Sequence, residues 1–175
     1  MAWMSWQSPE TVVGEKKILY KGGVEVHFYQ EHAGTPDARN VFRCVIPPGA
    51  RTPMPHYHKD FDEIVRGHKG TATWVVDGRT TELIPGEQLV IPRGAVHHFV
   101  NRTKEPIEFV CHASPEIFGA PYFEDVAKVV NVDGLPDFEE LKAVMRRHGL
   151  VPAPGLKQRM VFAVIRTVRR FRTPA

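Results

Sequence analysis

Apolar and polar residues alternate in short bursts through the first two thirds of the chain, and turn-forming residues separate the bursts. The alternating run Val24-Glu25-Val26-His27-Phe28 predicts an early strand. A second is predicted over 40–46, stopped by Pro47-Pro48-Gly49. Further short strands are predicted over 57–65, 71–76, 80–83, 88–91, 97–101 and 107–112. Gly70, Asp77-Gly78, Pro85-Gly86 and Arg93-Gly94 punctuate them, and Asp77-Gly78 has the composition of a two-residue hairpin turn. Many short strands at close spacing predict an all-β sandwich or barrel. After Pro115 the pattern turns helical, first over 122–130 and then from Pro136 onward. In the second helix Asp137 is the expected N-cap, with Glu140 three residues later. Its apolar stripe is Leu141, Val144 and Met145, and Gly149 ends it.

Composition narrows the class. With 175 residues, 42% of them hydrophobic and 25% charged, the chain reads as one globular domain with enough length for a real core. Within it, 1–39 reads as N-terminal strands and an arm, 40–112 as the barrel core, and 113–175 as a helical extension packed on that barrel. No apolar run approaches a membrane span, and the N-terminus lacks the basic and apolar regions of a signal peptide. Cys44 and Cys111 are far apart and read as buried reduced thiols, so a cytoplasmic protein is expected.

The net charge of +3 hides an asymmetry: six basic residues and no acid lie from Lys157 onward, leaving 17 basic against 20 acidic residues before it. Val161, Val164, Ile165 and Val168 fall at helical spacing in that tail, with Arg159, Arg166 and Arg170 elsewhere on the wheel. The expectation is a stripe docked on the barrel or on a second subunit, with solvated arginines. Trp3 and Trp6 are further candidates for a subunit interface. No aromatic stacking platform or reading helix supports nucleic-acid binding, and neither nucleic acid nor membrane is an expected partner.

The chemistry concentrates in four residues: His56, His58, Glu63 and His97. Three imidazoles and a carboxylate suit a divalent first-row transition metal, with Fe, Ni, Mn, Co, Cu and Zn all tolerated. His56 and His58 are two apart, so one strand can aim both at one ion. Glu63 has the wrong parity for that strand, so a turn or bulge at 59–62 must re-aim the chain. His97 follows the turn Pro92-Arg93-Gly94 and must arrive from a separate strand. His98 and His112 should face away from the site, and His27, His32, His68 and His148 read as ordinary core or surface residues.

These residues and the glycines around them resemble the two motifs of the cupin family. The first runs Gly49, His56-Tyr57-His58, Glu63 and Gly70, with four residues between His58 and Glu63 and six between Glu63 and Gly70. The second runs Gly86, Pro92, Gly94, His97 and Asn101. One departure is that six residues, one more than the family spacing, separate Gly49 from His56. No second copy of the motifs appears, so a single unit is implied. The resemblance implies a double-stranded β-helix or jelly-roll barrel that binds one divalent transition metal through His56, His58, Glu63 and His97. Family members are commonly dimers, so a homodimer is expected. The tail His148-Gly149-Leu150 with Pro152 and Pro154 is similar to that of small single cupins, including bacterial quercetin 2,3-dioxygenases.

On that resemblance the leading expectation is a metal-dependent oxidoreductase, a dioxygenase acting on a small enol, diol or aromatic substrate. Glu63 is the candidate general base. Trp74, Phe99 and Phe109 are candidates for apolar pocket walls, and Asn101 for a supporting role beside the metal ligands. The alternatives are a non-oxidative isomerase, lyase or decarboxylase, and a non-catalytic binder of small molecules. Metal-free sugar-nucleotide epimerases of this fold do not keep the ligand set, and secreted germin-type oxalate oxidases carry signal peptides.

Overall fold

Asp77 and Gly78 both adopt positive φ, 47° and 79°, and so form the tight turn that joins β6 (Ala72–Val76) to β7 (Arg79–Leu83). That hairpin is the simplest local unit of a computed structural model that describes residues 13–31, 39–114, 119–155 and 160. The remaining strands are β1 (Val13–Leu19), β2 (Glu25–Glu31), β3 (Arg39–Ile46), β4 (His56–His58), β5 (Asp62–Lys69), β8 (Gln88–Ile91), β9 (His97–Val100), β10 (Ile107–Ser114) and β11 (Leu150–Pro152). They form two antiparallel sheets, ordered β1-β2-β3-β10-β5-β8 and β11-β4-β9-β6-β7. The sheets face one another as an all-β jelly roll, with α1 (Ala120–Val130) and α2 (Phe138–Arg147) as the helical extension.

Two differences from the expected elements matter for the site. The run over 57–65 is two strands in different sheets: β4 ends at His58 and β5 starts at Asp62. The expected re-aiming at 59–62 is therefore a change of sheet and not a bulge. The short strand β11 is also unforeseen. It lies along β4, with Leu150 opposite His58, Val151 opposite Tyr57 and Pro152 opposite His56. Pro152 is tolerated because β11 is the edge of its sheet.

The barrel core includes Val65, Trp74, Ile91, Phe109 and Cys111, each no more than 2% exposed. Helix α1 lies against it through Phe123, whose ring is 4.8 Å from that of Phe42 and 6.5 Å from that of Phe28. The Tyr20 hydroxyl donates to Phe123 O at 3.1 Å, and Asn131 Nδ2 donates to Leu19 O at 2.8 Å, so β1 and α1 are sewn together. Asp137 caps α2, accepting from the backbone N–H groups of Glu139 and Glu140 as its sequence position predicts. Leu141, Val144 and Met145 are its buried stripe. Among the described residues no helix is long and apolar enough to cross a membrane. The basic stripe of Val161, Val164, Ile165 and Val168, and Trp3 and Trp6, lie outside the described residues.

Candidate metal centre

His56 stands opposite His97 where β4 meets β9, and His58 follows two residues on, so three imidazoles converge from two adjacent strands. One nitrogen of each lies within 4.8 Å of the other two. Backbone carbonyls set the rings: His56 Nδ1 donates to Met54 O at 3.1 Å, and His97 Nδ1 donates to Ala95 O at 2.9 Å. Each of those bonds places a proton on Nδ1, so that in the neutral ring Nε2 carries the lone pair. The loop before β9 is held in turn by His58, whose carbonyl accepts from Gly94 N at 2.7 Å. Asp62 Oδ1 accepts from Arg93 N at 2.8 Å and from Arg93 Nε at 3.2 Å, clamping the Pro92-Arg93-Gly94 turn onto the start of β5.

Glu63 enters from the opposite sheet. Its Oε2 lies 3.3 Å from His97 Nε2, without the alignment of a hydrogen bond. The compact trio is thus made of imidazoles, and the carboxylate stands at its margin. The Cys111 thiol of β10 lies near Glu63 and helps to lower its pKa. Burial by itself would raise the Glu63 pKa, but the His97 contact, the nearby imidazoles and the thiol outweigh it and hold the carboxyl at about 2. Burial, followed by the neighbouring imidazoles, lowers His56 to about 3. Burial also dominates at His58, which Glu63 only partly offsets, leaving it at about 4. His97 goes the other way: burial lowers it, and Glu63 more than reverses that. Near neutral pH the site therefore offers two neutral imidazoles and an ionised carboxylate, the protonation states that metal ligation requires.

These residues fit a bound metal on a further observation. His97 Nε2 is buried and has no hydrogen-bond partner. An unsatisfied buried polar atom costs about 1–3 kcal/mol, a cost that a bound cation would remove. Both cysteines are free and buried. Burial first, and then the Glu63 charge, raises the Cys111 pKa and keeps the thiol protonated.

The other sequence candidates divide cleanly. Trp74, Phe99 and Phe109 form one aromatic group, with ring centres 4.9 to 5.3 Å apart, and the Trp74 ring lies 6.3 Å from that of His97. Asn101 is fully buried but is occupied elsewhere. Its Nδ2 donates to Ile46 O and Glu105 O at 2.9 and 2.8 Å, and its Oδ1 accepts from Thr103 N and Oγ1. Asn101 therefore latches loops behind Phe99 and does not face the ligands. His98 is paired with Val75 and His112 with Val41 and Ile64, one residue out of phase with the inward positions.

Sequence reading missed Phe61, which is 1% exposed and stacks on His58 with ring centres 4.2 Å apart and planes at 18°. Its signal was an apolar residue inside the otherwise polar turn Lys59-Asp60-Phe61-Asp62. Tyr122 of α1 was missed as well. Burial raises its phenol, and the Glu63 charge adds to the effect, which ties the extension electrostatically to the site.

The family profile described as "Cupin domain" matches residues 42–113. No curated protein matches the chain significantly. Among solved structures, the chain is similar to a sugar phosphate isomerase from a cupin superfamily, from Silicibacter pomeroyi. That match is 30% identical, covers 50% of this chain and 58% of that one, and has a TM-score of 0.44. It is similar to KdgF from Halomonas sp. at 21% identity, covering 56% of this chain and 84% of that one, with a TM-score of 0.47. For AerE from Microcystis aeruginosa the identity is 19%, the coverage 59% and 47%, and the TM-score 0.50, a likeness of fold alone.

Proposed function

Residues 42–113 make the chain a cupin-domain protein, and from that premise we propose that it is a metal-dependent enzyme, an oxidoreductase of dioxygenase type acting on a small enol, diol or aromatic substrate. The observation that carries the reading is the set of imidazoles aimed at one point, beside an ionised buried carboxylate, inside an aromatic-walled barrel. His56, His58 and His97 would hold a divalent transition metal, with Glu63 as fourth protein ligand. Bound there, such a metal supplies Lewis acidity toward a chelating oxygen and, if redox-active, a route for electrons to dioxygen.

The chain's own residues supply the rest. Trp74, Phe99 and Phe109 exclude water and offer flat apolar faces to a planar substrate. Phe61 fixes the His58 ring by stacking on it. Glu63 Oε2 would accept a proton from a substrate hydroxyl. Its low pKa keeps it ionised and ready, and also makes it a weak base, so proton transfer favours an acidic enol over a simple alcohol.

The same ionised carboxylate favours one second reading, a non-oxidative isomerase, lyase or decarboxylase in which a proton moves and no electrons do. An oxygen electrode separates the two. With metal-loaded protein and a flavonol or β-diketone, oxygen uptake is expected, falling to background in His97→Ala. Product formation under strict anaerobiosis would overturn the dioxygenase reading in favour of the second.

A further inference from the structure

Trp74 carries a second buried polar atom with no hydrogen-bond partner, its indole Nε1, in a side chain that is 2% exposed. An indole N–H can only donate, and burying it unpaired costs about as much as any lost hydrogen bond. Trp74 lies opposite Phe99 in the β6–β9 register, and Phe99 is two residues from His97 on the same face of β9. The indole and His97 rings are 6.3 Å apart with planes at 28°, so the two unpartnered nitrogens belong to neighbouring rings of the barrel interior.

The two are opposite in sense. In the neutral ring, whose Nδ1 proton is held by Ala95 O, His97 Nε2 offers a lone pair. Trp74 Nε1 offers a proton. One kind of ligand satisfies both: a cation on the imidazoles with an oxygen lone pair beside it.

We propose that the Trp74 indole N–H is a substrate-binding donor that holds an anionic oxygen, a carboxylate or enolate, of a ligand bound at the three-histidine centre. The proposal rests on the metal reading above. It makes the site selective for ligands that present such an oxygen on the Trp74 side, and it gives Trp74 a task that an apolar wall residue would not have. The competing account is that the N–H lies against a neighbouring ring, since Phe109 is edge-on to the indole at 5.3 Å and 70°.

The test uses the full chain loaded with zinc, which is diamagnetic, and oxalate as the probe. The chain has three tryptophans, so the indole N–H region of a nitrogen-15 correlation spectrum holds three signals. Trp3→Phe and Trp6→Phe assign the Trp74 signal. The expected result is a downfield shift of that proton when oxalate is added to the zinc form and none when it is added to the metal-free form. Trp74→Phe should keep zinc affinity and bind oxalate at least about 10-fold more weakly. Oxalate binding that leaves the Trp74 signal in place would overturn the Trp74 assignment alone. Zinc binding with no oxalate binding would overturn the ligand class. Failure to bind zinc would overturn the metal reading and this one with it.

Discussion

His56 and His58 stand on a strand of three residues, whereas Glu63 stands on a strand of eight that is hydrogen-bonded on both sides. Strand β5 runs between β10 and β8, in continuous register with β10 from Asp62 to Gly67 and with β8 from Glu63 to Arg66. Strand β4 meets β9 only at His56 opposite His97, while all three of its residues pair with β11. Ala153 N extends that pairing by donating to Pro55 O at 2.8 Å. The carboxylate wall is thus built by the barrel itself. The histidine wall leans on a strand supplied from beyond the second helix, nearly a hundred residues away in sequence. Metal affinity and barrel stability should therefore respond differently to damage in the two places.

The largest contrast is expected at Leu150, which is fully buried in β11 and opposite His58. Leu150→Ala should cost about 2–5 kcal/mol in chemical denaturation and also weaken metal binding by about 10-fold or more. Val26→Ala on the distant strand β2 should lower stability without that loss of affinity. Equal metal affinity in both variants would show that β11 does not support the histidines.

A smaller effect should follow from crowding the carboxylate wall. A Cβ on Gly67 would meet Ile84 O at 2.2 Å, where β5 crosses the Pro85-Gly86 turn. Backbone cannot yield as a flexible side chain can, so Gly67→Ala should cost about 1–3 kcal/mol. Because β5 is anchored on both sides, metal affinity should stay within about 3-fold of wild type, read by competition with a chelator. A large loss of affinity would mean that the two walls are mechanically coupled.

The smallest effect concerns the extension that carries β11. Asp125 on α1 accepts from His148 Nε2 at 3.0 Å and from Lys128 Nζ at 2.7 Å, and Arg147 Nη1 lies 3.4 Å away. The Lys128 and His148 hydrogen bonds hold its carboxyl down at about 2. A carboxylate whose folded pKa is depressed adds stability above its unfolded value of about 3.9, and that stability is lost as pH falls toward 2. Thermal melts of wild type and Asp125→Asn should therefore differ near neutral pH and converge in acid. A constant difference across that range would remove Asp125 from the account.

What the sequence revealed was what local chemistry decides. Asp77-Gly78 announces its hairpin because a two-residue turn needs two positive φ values, and Asp137 announces its helix because the cap is a neighbour of the groups it satisfies. The three histidines are legible for a similar reason, since parity within β4 and the turn before β9 fix their directions. The unread parts depend on distant partners. Gly14-Glu15-Lys16-Lys17 looks too polar for a strand, and β1 exists because β2 pairs with it. Leu150-Val151-Pro152 looks like a loop, and becomes a strand by lying along β4. The sheet change between His58 and Asp62 turns on Phe61, an inward aromatic whose role emerges only when His58 is above it.

The central claim is that the histidine trio holds a metal, and elemental analysis of untagged protein beside His97→Ala tests it most directly. The account predicts near-stoichiometric divalent transition metal in the wild-type protein and its loss in the variant, with the fold retained by circular dichroism. Wild-type protein that stays free of metal after reconstitution, or a variant that keeps it, would contradict the account.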